Sequence, residues 1–486
     1  MATLTLPSRR GGKVASVRVQ LIATSAAAAL VAVVSRPHHV PDDAALTFRY
    51  AERLATGRGF TFNDHEHVFG ASNGLYTLLL SALRWLGIDL NAAALVLGVV
   101  CFVATVAVAV WLARSLAGPS AGWIAASLLL LAHPFRGNAL SGMEAGLSSL
   151  LALGTVALLR RGEERWAGVV LGLALFNKLD AAVLALVVVG VLTWRRRRLP
   201  LEVVVPAALV VLPYLVFCQW WFGQVLPQSA LGKVTGTADD PSFTSFDRLW
   251  VARSLLGLLP CVLAAAAGVW HVTRRHGAHP EVTGSDPPDA CVVDAVAVMA
   301  AWPLLYATVV SLVPLGAPWP WYLTPLVPPI VVLASVGASS SWISLRADGG
   351  TRAMRVVHVG VVAAVAVSIT FYAQSAVRGL TAEPTSADRW QRNVRAAAGW
   401  MAEHVPPGEV VDAQCWGYPA YRLSGNPVVD PCRLNSLEPA GEPTWRTGRA
   451  ADETRAARDG FCPVRRFGAP GDAESVLIFT RGQCPA

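Results

Sequence analysis

Apolar runs separated by short polar stretches fill the first 374 residues of the chain. A helix needs about 20 apolar residues to cross a bilayer, and its backbone satisfies its own hydrogen bonds inside the lipid. The pattern therefore predicts an all-α polytopic membrane protein, although some runs are shorter than this length. The runs cover about 17–35, 72–87, 91–113, 119–133, 143–159, 166–176, 181–194, 201–222, 249–270, 291–312, 319–338 and 355–374.

Basic residues decide how these runs cross the membrane. Lys and Arg concentrate in cytoplasmic loops, and the strongest cluster is Arg195–Arg198. If the N-terminus is cytoplasmic, this cluster faces the cytoplasm only when run 72–87 does not cross. That run is short and carries Asn73 and Arg84, which is typical of an interfacial helix on the outer surface. The sequence thus predicts eleven spans and an exported C-terminus.

The composition agrees with a protein solvated mainly by lipid. Of 486 residues, 54% are hydrophobic and only 15% are charged, whereas soluble domains have roughly 25% charged residues. The net charge of +8 comes from short basic clusters beside apolar runs, a placement that sets orientation and predicts no nucleic-acid partner. The sequence contains no P-loop, GxSxG or HExxH motif, so nucleotide hydrolysis and serine or zinc protease chemistry lack support.

The composition becomes soluble after about residue 374, with more Pro, Gly, Asp and Arg. We therefore predict a membrane domain over 1–374 and a small extracytoplasmic α/β or α+β domain over 375–486. Four cysteines in an exported domain favour two disulfides. A zinc site is less favoured because the spacings include no CxxC pair. Sequential pairing is preferred among the three pairings of Cys415, Cys432, Cys462 and Cys484.

Two adjacent carboxylates, Asp42 and Asp43, follow the first span close to the outer membrane face. In a protein that avoids charge, such a pair is a candidate general base or metal site. The alternative is a simple helix start, because Pro-Asp-Asp is a good capping sequence. Arg49 follows at helical spacing and brings a cation near the carboxylates. The outer loop over 36–90 is therefore the candidate catalytic segment.

Further polar side chains stand at the outer ends of later spans. Glu144 is either a functional carboxylate or a helix-start charge favoured by the dipole. Lys178 either pairs with Asp180 or binds a lipid phosphate at the membrane boundary, and the phosphate is favoured. Lys233, in an outer loop, is a candidate for the same anion. Tyr322 fits an interfacial aromatic belt, although aromatic rings also pack on sugars.

Several motifs resemble those of membrane glycosyltransferases of the GT-C fold. The Asp pair is followed by LTFRY, GRGFTFN and GASNGLY, then by SGME, FGQVLPQS and WYLTPLVPP. The series is similar, more narrowly, to actinobacterial arabinofuranosyl- and mannosyltransferases that use polyprenyl-phosphate sugars. Relatives often have an Arg-Pro-Glu/Asp element where this chain has Lys178-Leu179-Asp180. Lysine keeps the positive charge at this position, but it cannot form the bidentate hydrogen bonds that arginine makes to phosphate.

The resemblance implies an inverting transferase that moves a sugar, arabinofuranose before mannose, from a polyprenyl phosphate to a cell-envelope glycan or lipoglycan. Asp42 or Asp43, with Asp43 slightly favoured, would deprotonate the acceptor hydroxyl. Some relatives hold a divalent cation (Mg²⁺, Mn²⁺ or Ca²⁺) on the aspartates, and nothing in this sequence requires one. The further residues assigned to donor phosphate or substrate are Arg49, Asn73, Glu144, Lys178, Lys233 and Tyr322.

The same resemblance implies a bacterial plasma-membrane location. The basic clusters and the number of spans predict a cytoplasmic N-terminus and an extracytoplasmic active site and C-terminal domain. The expected partners are the lipid-linked donor, a glycan acceptor and membrane lipid. A transporter of lipid-linked sugars is a competing hypothesis, but it would place its essential polar residues near the bilayer centre, whereas here they gather at one edge. A non-catalytic membrane scaffold and a transferase that glycosylates protein are two further hypotheses.

Overall fold

The computed structural model describes residues 9–35, 40–64, 66–228, 230–231, 258–277, 288–312, 320–347, 351–381, 386–433, 435–436 and 441–481. The α-helices in these ranges are α1 (Arg9–Ser35), α2 (Asp42–Ala55), α3 (Gly74–Trp85), α4 (Leu90–Ala117), α5 (Pro119–Leu131), α6 (His133–Ala139), α7 (Ala145–Arg160), α8 (Glu164–Asn177), α9 (Ala182–Arg196), α10 (Leu201–Phe222), α11 (Leu259–Gly277), α12 (Pro288–Leu312), α13 (Pro320–Leu323), α14 (Val327–Arg346), α15 (Arg352–Thr381), α16 (Ser386–His404), α17 (Gly417–Arg422) and α18 (Glu453–Arg458).

Each run predicted to cross the membrane corresponds to one of these helices, although the first part of run 249–270 lies outside the described residues. Six helical stretches in the described part are long and apolar enough to cross a bilayer, and α5 and α7 are shorter apolar helices. Large apolar side chains such as Leu30, Val96, Leu209 and Val216 are exposed on these helices. An exposed apolar surface of this kind suits lipid contact.

Run 72–87 forms α3, whose 12 residues are too few to cross the hydrocarbon core. The helix packs on α2 and α4 and buries Tyr76, Thr77 and Leu80. Leu78 and Trp85 are exposed on the remaining surface. This division into a buried and an exposed apolar face agrees with the predicted interfacial helix.

Small residues allow the membrane helices to approach closely. At the crossing of α11 and α14, a Cβ atom on Gly268 would lie 2.2 Å from the carbonyl oxygen of Leu333. A Cβ atom on Gly337 would lie 2.1 Å from the carbonyl oxygen of Ala264. Because lipid gives apolar helices little reason to associate, contacts of this closeness are a main source of helix packing in membranes.

The C-terminal region, defined as the described residues from Ser386 onward, contains five strands: β1 (Val411–Asp412), β2 (Val428–Val429), β3 (Trp445–Arg449), β4 (Phe461–Phe467) and β5 (Val476–Arg481). They form one mixed sheet in the order β2-β1-β3-β5-β4. β1 pairs in parallel with β2 and β3, and β5 runs antiparallel to β3 and β4. α16 packs on β4 and β5, so the predicted small α/β or α+β unit is confirmed.

The C-terminal region packs directly on α2 and its neighbours. One buried apolar core contains Phe48 of α2, Leu80 of α3, Met401 of α16 and Val411 of β1. Burying these side chains stabilises the contact by roughly 1.5–3 kcal/mol for each large residue. The region therefore holds α2 in a fixed position.

Candidate active site

Asp42 begins α2 and is held by the C-terminal region. Its side chain is buried, and its two carboxylate oxygens accept hydrogen bonds from the backbone N–H groups of Gly417 (2.7 Å) and Tyr418 (2.9 Å). These two groups belong to the first turn of α17. The Asp42 side chain, which the sequence predicted as a cap for its own helix, instead binds the first turn of α17, about 375 residues further along the chain. No side-chain hydrogen bond caps α2 itself.

Burial raises the pKa of Asp42 to about 7, although the two N–H donors and nearby Arg395 act in the opposite direction and Asp43 adds to the rise. The folded state therefore holds this proton more tightly than the unfolded chain does. The stability that the protonated carboxyl contributes is complete below about pH 4 and is lost as the pH rises through about 7.

Gly417 has no room for a side chain at this contact. A Cβ atom there would lie 2.1 Å from the carbonyl oxygen of Asp42 and 2.9 Å from the backbone nitrogen of Leu46. We expect Gly417→Ala to lower the free energy of unfolding by about 1–3 kcal/mol or more, because only a shift of α2 relieves a clash with backbone atoms. The measurement is the thermal unfolding temperature in detergent.

The matched control is Gly399→Ala in α16, where a Cβ atom would meet nothing within 4 Å. This change is expected to keep or slightly raise the unfolding temperature, because alanine favours a helix more than glycine does. Equal unfolding temperatures for the two variants would contradict the tight α2–α17 contact.

Asp43 is exposed, in contrast to its buried neighbour. Consecutive side chains leave an α-helix about 100° apart, so only one of the two aspartates can face the C-terminal region. Asp43 lies one turn before Thr47, and residues four apart share one face of a helix. The described part of α2 therefore presents one carboxylate outward and uses the other for docking.

A chain of buried polar side chains runs from Thr47 to Lys178. Asn73 Nδ2 lies 3.0 Å from Thr47 Oγ1 and 3.2 Å from Glu144 Oε2. Glu144 Oε1 then accepts a hydrogen bond of 2.7 Å from Lys178 Nζ. The side chains of Glu144 and Lys178 are 6% and 14% exposed. Three residues that the sequence analysis singled out separately thus form one connected group.

Lys178 has an aromatic ring as its second neighbour. Its Nζ lies 4.6 Å from the centre of the Tyr322 ring, a cation–π geometry. Asp180 instead accepts a hydrogen bond of 2.9 Å from the Tyr306 hydroxyl. The ion pair of Lys178 is therefore made with Glu144 and not with Asp180. The Glu144 side chain makes no capping hydrogen bond to α7, the helix that follows it. We call Asn73, Glu144, Lys178 and Tyr322, together with Thr47, the polar cluster.

Arg49 does not belong to the polar cluster, and the predicted role in binding phosphate does not fit its position. Its side chain is completely buried, and all five of its N–H donors are used in bonds to the loop after α2 and to the C-terminal region. A guanidinium with no remaining donor serves as an anchor between these segments. Its acceptors are the carbonyl oxygens of Phe62, Ala420, Leu423 and Asn426 and the side-chain oxygen of Asn63.

The predicted metal site on Asp42 and Asp43 does not fit the observed geometry. Both oxygens of Asp42 accept hydrogen bonds from backbone N–H groups. Asp42 would have to give up these hydrogen bonds to coordinate a metal ion. Among the described residues, one group of three potential ligands is Cys415, Asp430 and Cys432, and its two cysteines form a disulfide. We therefore derive no step through a metal. Lys233, the other predicted phosphate ligand, lies outside the described residues.

The cysteines of the C-terminal region follow the expected disulfide chemistry as far as they are described. Cys415 and Cys432 form a disulfide with a Cα–Cα distance of 5.7 Å, as sequential pairing requires. Cys462 is also disulfide-bonded, and Cys484 lies outside the described residues. The first bridge joins the loop after β1 to the loop after β2, directly before the α17 residues that hold Asp42.

The sequence analysis missed Thr47, Arg395, Gly417 and Tyr418. Arg395 donates to the carbonyl oxygen of Val40 at 2.7 Å and lies over the Tyr418 ring, so it supports the Asp42 contact from α16. Arg395, Gly417 and Tyr418 lie in no motif that the sequence offers. For Thr47 a signal was present, because it lies one helical turn after Asp43 and next to Phe48-Arg49-Tyr50.

The architecture is similar to that of several solved structures. ArnT from Cupriavidus metallidurans in the apo state is similar with a TM-score of 0.61 and 14% identity, over 97% of this chain and 98% of that one. ArnT bound to undecaprenyl phosphate gives a TM-score of 0.58 at the same identity and coverage. The oligosaccharyltransferase AglB from Archaeoglobus fulgidus, in complex with an inhibitory peptide and a dolichol-phosphate, gives 0.53 at 12% identity, over 90% of this chain and 70% of that one.

These matches define the class of fold: the chain has the GT-C fold, as the resemblance predicted. Within that class, residues 75–285 match the sequence model of Glycosyltransferase family 87. That segment begins just after Asn73 and contains Glu144 and Lys178. No curated protein matches the sequence. The fold and the apolar helices together identify a multi-pass membrane protein, and the family match supports a glycosyltransferase.

Proposed function

We propose that the protein is an inverting glycosyltransferase that takes a sugar from a polyprenyl-phosphate donor. The acceptor is a cell-envelope glycan or lipoglycan at the outer face of the bacterial plasma membrane, and arabinofuranose is the favoured sugar, with mannose next. The observation that carries the proposal is the polar cluster, which joins the helix of the exposed Asp43 to a buried Lys178 at the C-terminal end of α8. The lipid-phosphate ligands of ArnT and AglB support a donor of this class.

Asp43 is the proposed general base. In the reaction, its carboxylate takes the proton of the acceptor hydroxyl while that oxygen attacks the anomeric carbon of the donor sugar. The bond between the anomeric carbon and the phosphate oxygen breaks, and the polyprenyl phosphate leaves with the bonding electrons. A single displacement of this kind inverts the anomeric configuration.

Lys178 is the proposed partner of the leaving phosphate. Its ammonium group is mostly removed from water, where a charge stabilises developing negative charge more strongly than it would in bulk solvent. Glu144 and the ring of Tyr322 hold Nζ in place, and Asn73 ties Glu144 to α2. The network thus connects α2, the helix that carries the proposed base, with the proposed phosphate partner.

The test is a transfer assay with the purified full-length protein, defined polyprenyl-phosphate arabinofuranose and mannose donors, and short oligosaccharide acceptors. We expect product from one of these donors, with an anomeric configuration opposite to that of the donor by NMR. Product with the donor's configuration would overturn the single displacement. Passage of intact lipid-linked sugar across proteoliposomes without transfer would favour the transporter, and labelling of peptide acceptors alone would favour transfer to protein.

A further inference from the structure

A cavity separate from the polar cluster lies in the C-terminal region. Its volume is about 590 Å³, and its lining includes Asp412, Gln414, Arg455 and the disulfide between Cys415 and Cys432. It opens outside the carboxyl end of β1, which lies between its two parallel neighbours. In sheets with parallel strands, ligands commonly bind at this end, and ligand sites span roughly 300–1,000 Å³. The cavity thus has the place and size of a binding site.

The polar groups at the base of this cavity are held in fixed orientations. Asp412 is buried and accepts hydrogen bonds from the backbone and side-chain nitrogens of Gln414, both at 3.0 Å, and from Arg446 Nε at 2.9 Å. Arg446 also donates to Asp459 at 2.6 Å and lies 4.3 Å from the centre of the Phe461 ring. Groups fixed in advance lose little conformational entropy when a ligand binds.

The charges of the lining favour a neutral polar ligand. Arg446 is paired with Asp412, and the rim adds one charge of each sign, from Asp452 and Arg455. The lining therefore has no net charge that would select an anion or a cation. The lining offers both hydrogen-bond donors and acceptors, and a hydroxyl group is the simple ligand group that serves as both. We propose that this cavity binds a neutral sugar unit of a glycan.

The cavity is connected to α2 by a very short segment. Gln414 and Cys415 have φ values of 53° and 65°, in the left-handed region that few residues other than glycine occupy and that is enriched at functional sites. Gly417 and Tyr418, which hold Asp42, follow within three residues of Cys415. A glycan bound here contacts the same loop that fixes the helix carrying Asp43. The inference goes beyond the proposed transfer, because binding at this cavity needs no donor.

The test is a binding titration of the full-length protein in detergent without donor, by calorimetry. The probes are neutral arabino-oligosaccharides and manno-oligosaccharides, with a uronic-acid oligosaccharide as the charged comparison. We expect a neutral oligosaccharide to bind and Arg455→Ala and Gln414→Asn each to raise its Kd about tenfold. Asparagine tolerates the left-handed conformation at position 414, and Arg455 is exposed, so both variants are expected to fold.

Arg458→Ala is the matched control, because Arg458 is exposed on the same short helix and does not line the cavity. It should bind the oligosaccharide as the unmodified protein does. Binding that persists in a protein without transfer activity separates this inference from the proposed function. No binding of any neutral probe, preference for the uronic-acid probe, or unchanged Kd in both cavity variants would overturn it.

Discussion

Asp43→Asn is expected to lower the rate of sugar transfer by about 10²- to 10⁴-fold, which is the range that a general base contributes. The asparagine amide keeps the size of the side chain but cannot accept the proton of the acceptor hydroxyl. Because Asp43 is exposed, its replacement leaves the packing of α2 unchanged. The measurement is product formed per unit time with saturating donor and acceptor, together with the unfolding temperature, which should not change.

Asp42→Asn is the matched comparison, and its expected defect lies first in stability. An amide can accept only one of the two hydrogen bonds from Gly417 and Tyr418, and its NH₂ group would face the other N–H donor. Leaving that buried donor unsatisfied costs about 1–3 kcal/mol. Full activity of Asp43→Asn, or loss of activity without loss of stability in Asp42→Asn only, would contradict the assignment of the two roles.

The sequence was sufficient for most of the membrane architecture. Apolar runs and basic clusters predicted the apolar helices described within the first 374 residues and a short helix over run 72–87, because lipid imposes one simple rule on length and polarity. The same reasoning identified Glu144 and Lys178, because charged side chains near lipid are energetically costly and therefore indicate a functional role. It could not pair them with each other, because two helix ends 34 residues apart meet only in the folded bundle.

The docking of the C-terminal region could not be derived from the sequence. Asp42 and Arg49 reach partners about 375 residues away, and no periodicity or local motif encodes such a contact. Arg49 was misassigned for this reason: a cation beside two carboxylates suggests a phosphate ligand until its five donors are found in bonds to the backbone and Asn63. The division of the two aspartates into an exposed and a buried member also depends on this docking.

Lys178→Met is expected to lower both stability and transfer. Removing the ammonium leaves the Glu144 carboxylate buried with Asn73 but without its cation, and breaking a buried ion pair on one side costs about 3–5 kcal/mol. Loss of charge stabilisation at the leaving phosphate is expected to lower the rate by a further factor of about 10² to 10³, as for other preorganised electrostatic groups. The unfolding temperature and the rate per folded molecule measure the two effects.

The double variant Glu144→Gln, Lys178→Met separates the effect on stability from the effect on the transfer rate. Replacing both charges removes the unpaired carboxylate, and exchange of a whole buried pair for neutral groups is often close to neutral in stability. The amide oxygen of the introduced glutamine can still accept the hydrogen bond that Asn73 Nδ2 donates to Glu144 at 3.2 Å. We therefore expect the double variant to recover most of the unfolding temperature while its transfer rate stays as low as that of Lys178→Met. A double variant that transfers sugar at the original rate would show that the ion pair serves the packing of α7 and α8 alone, because the cation would then be dispensable for the departure of the phosphate.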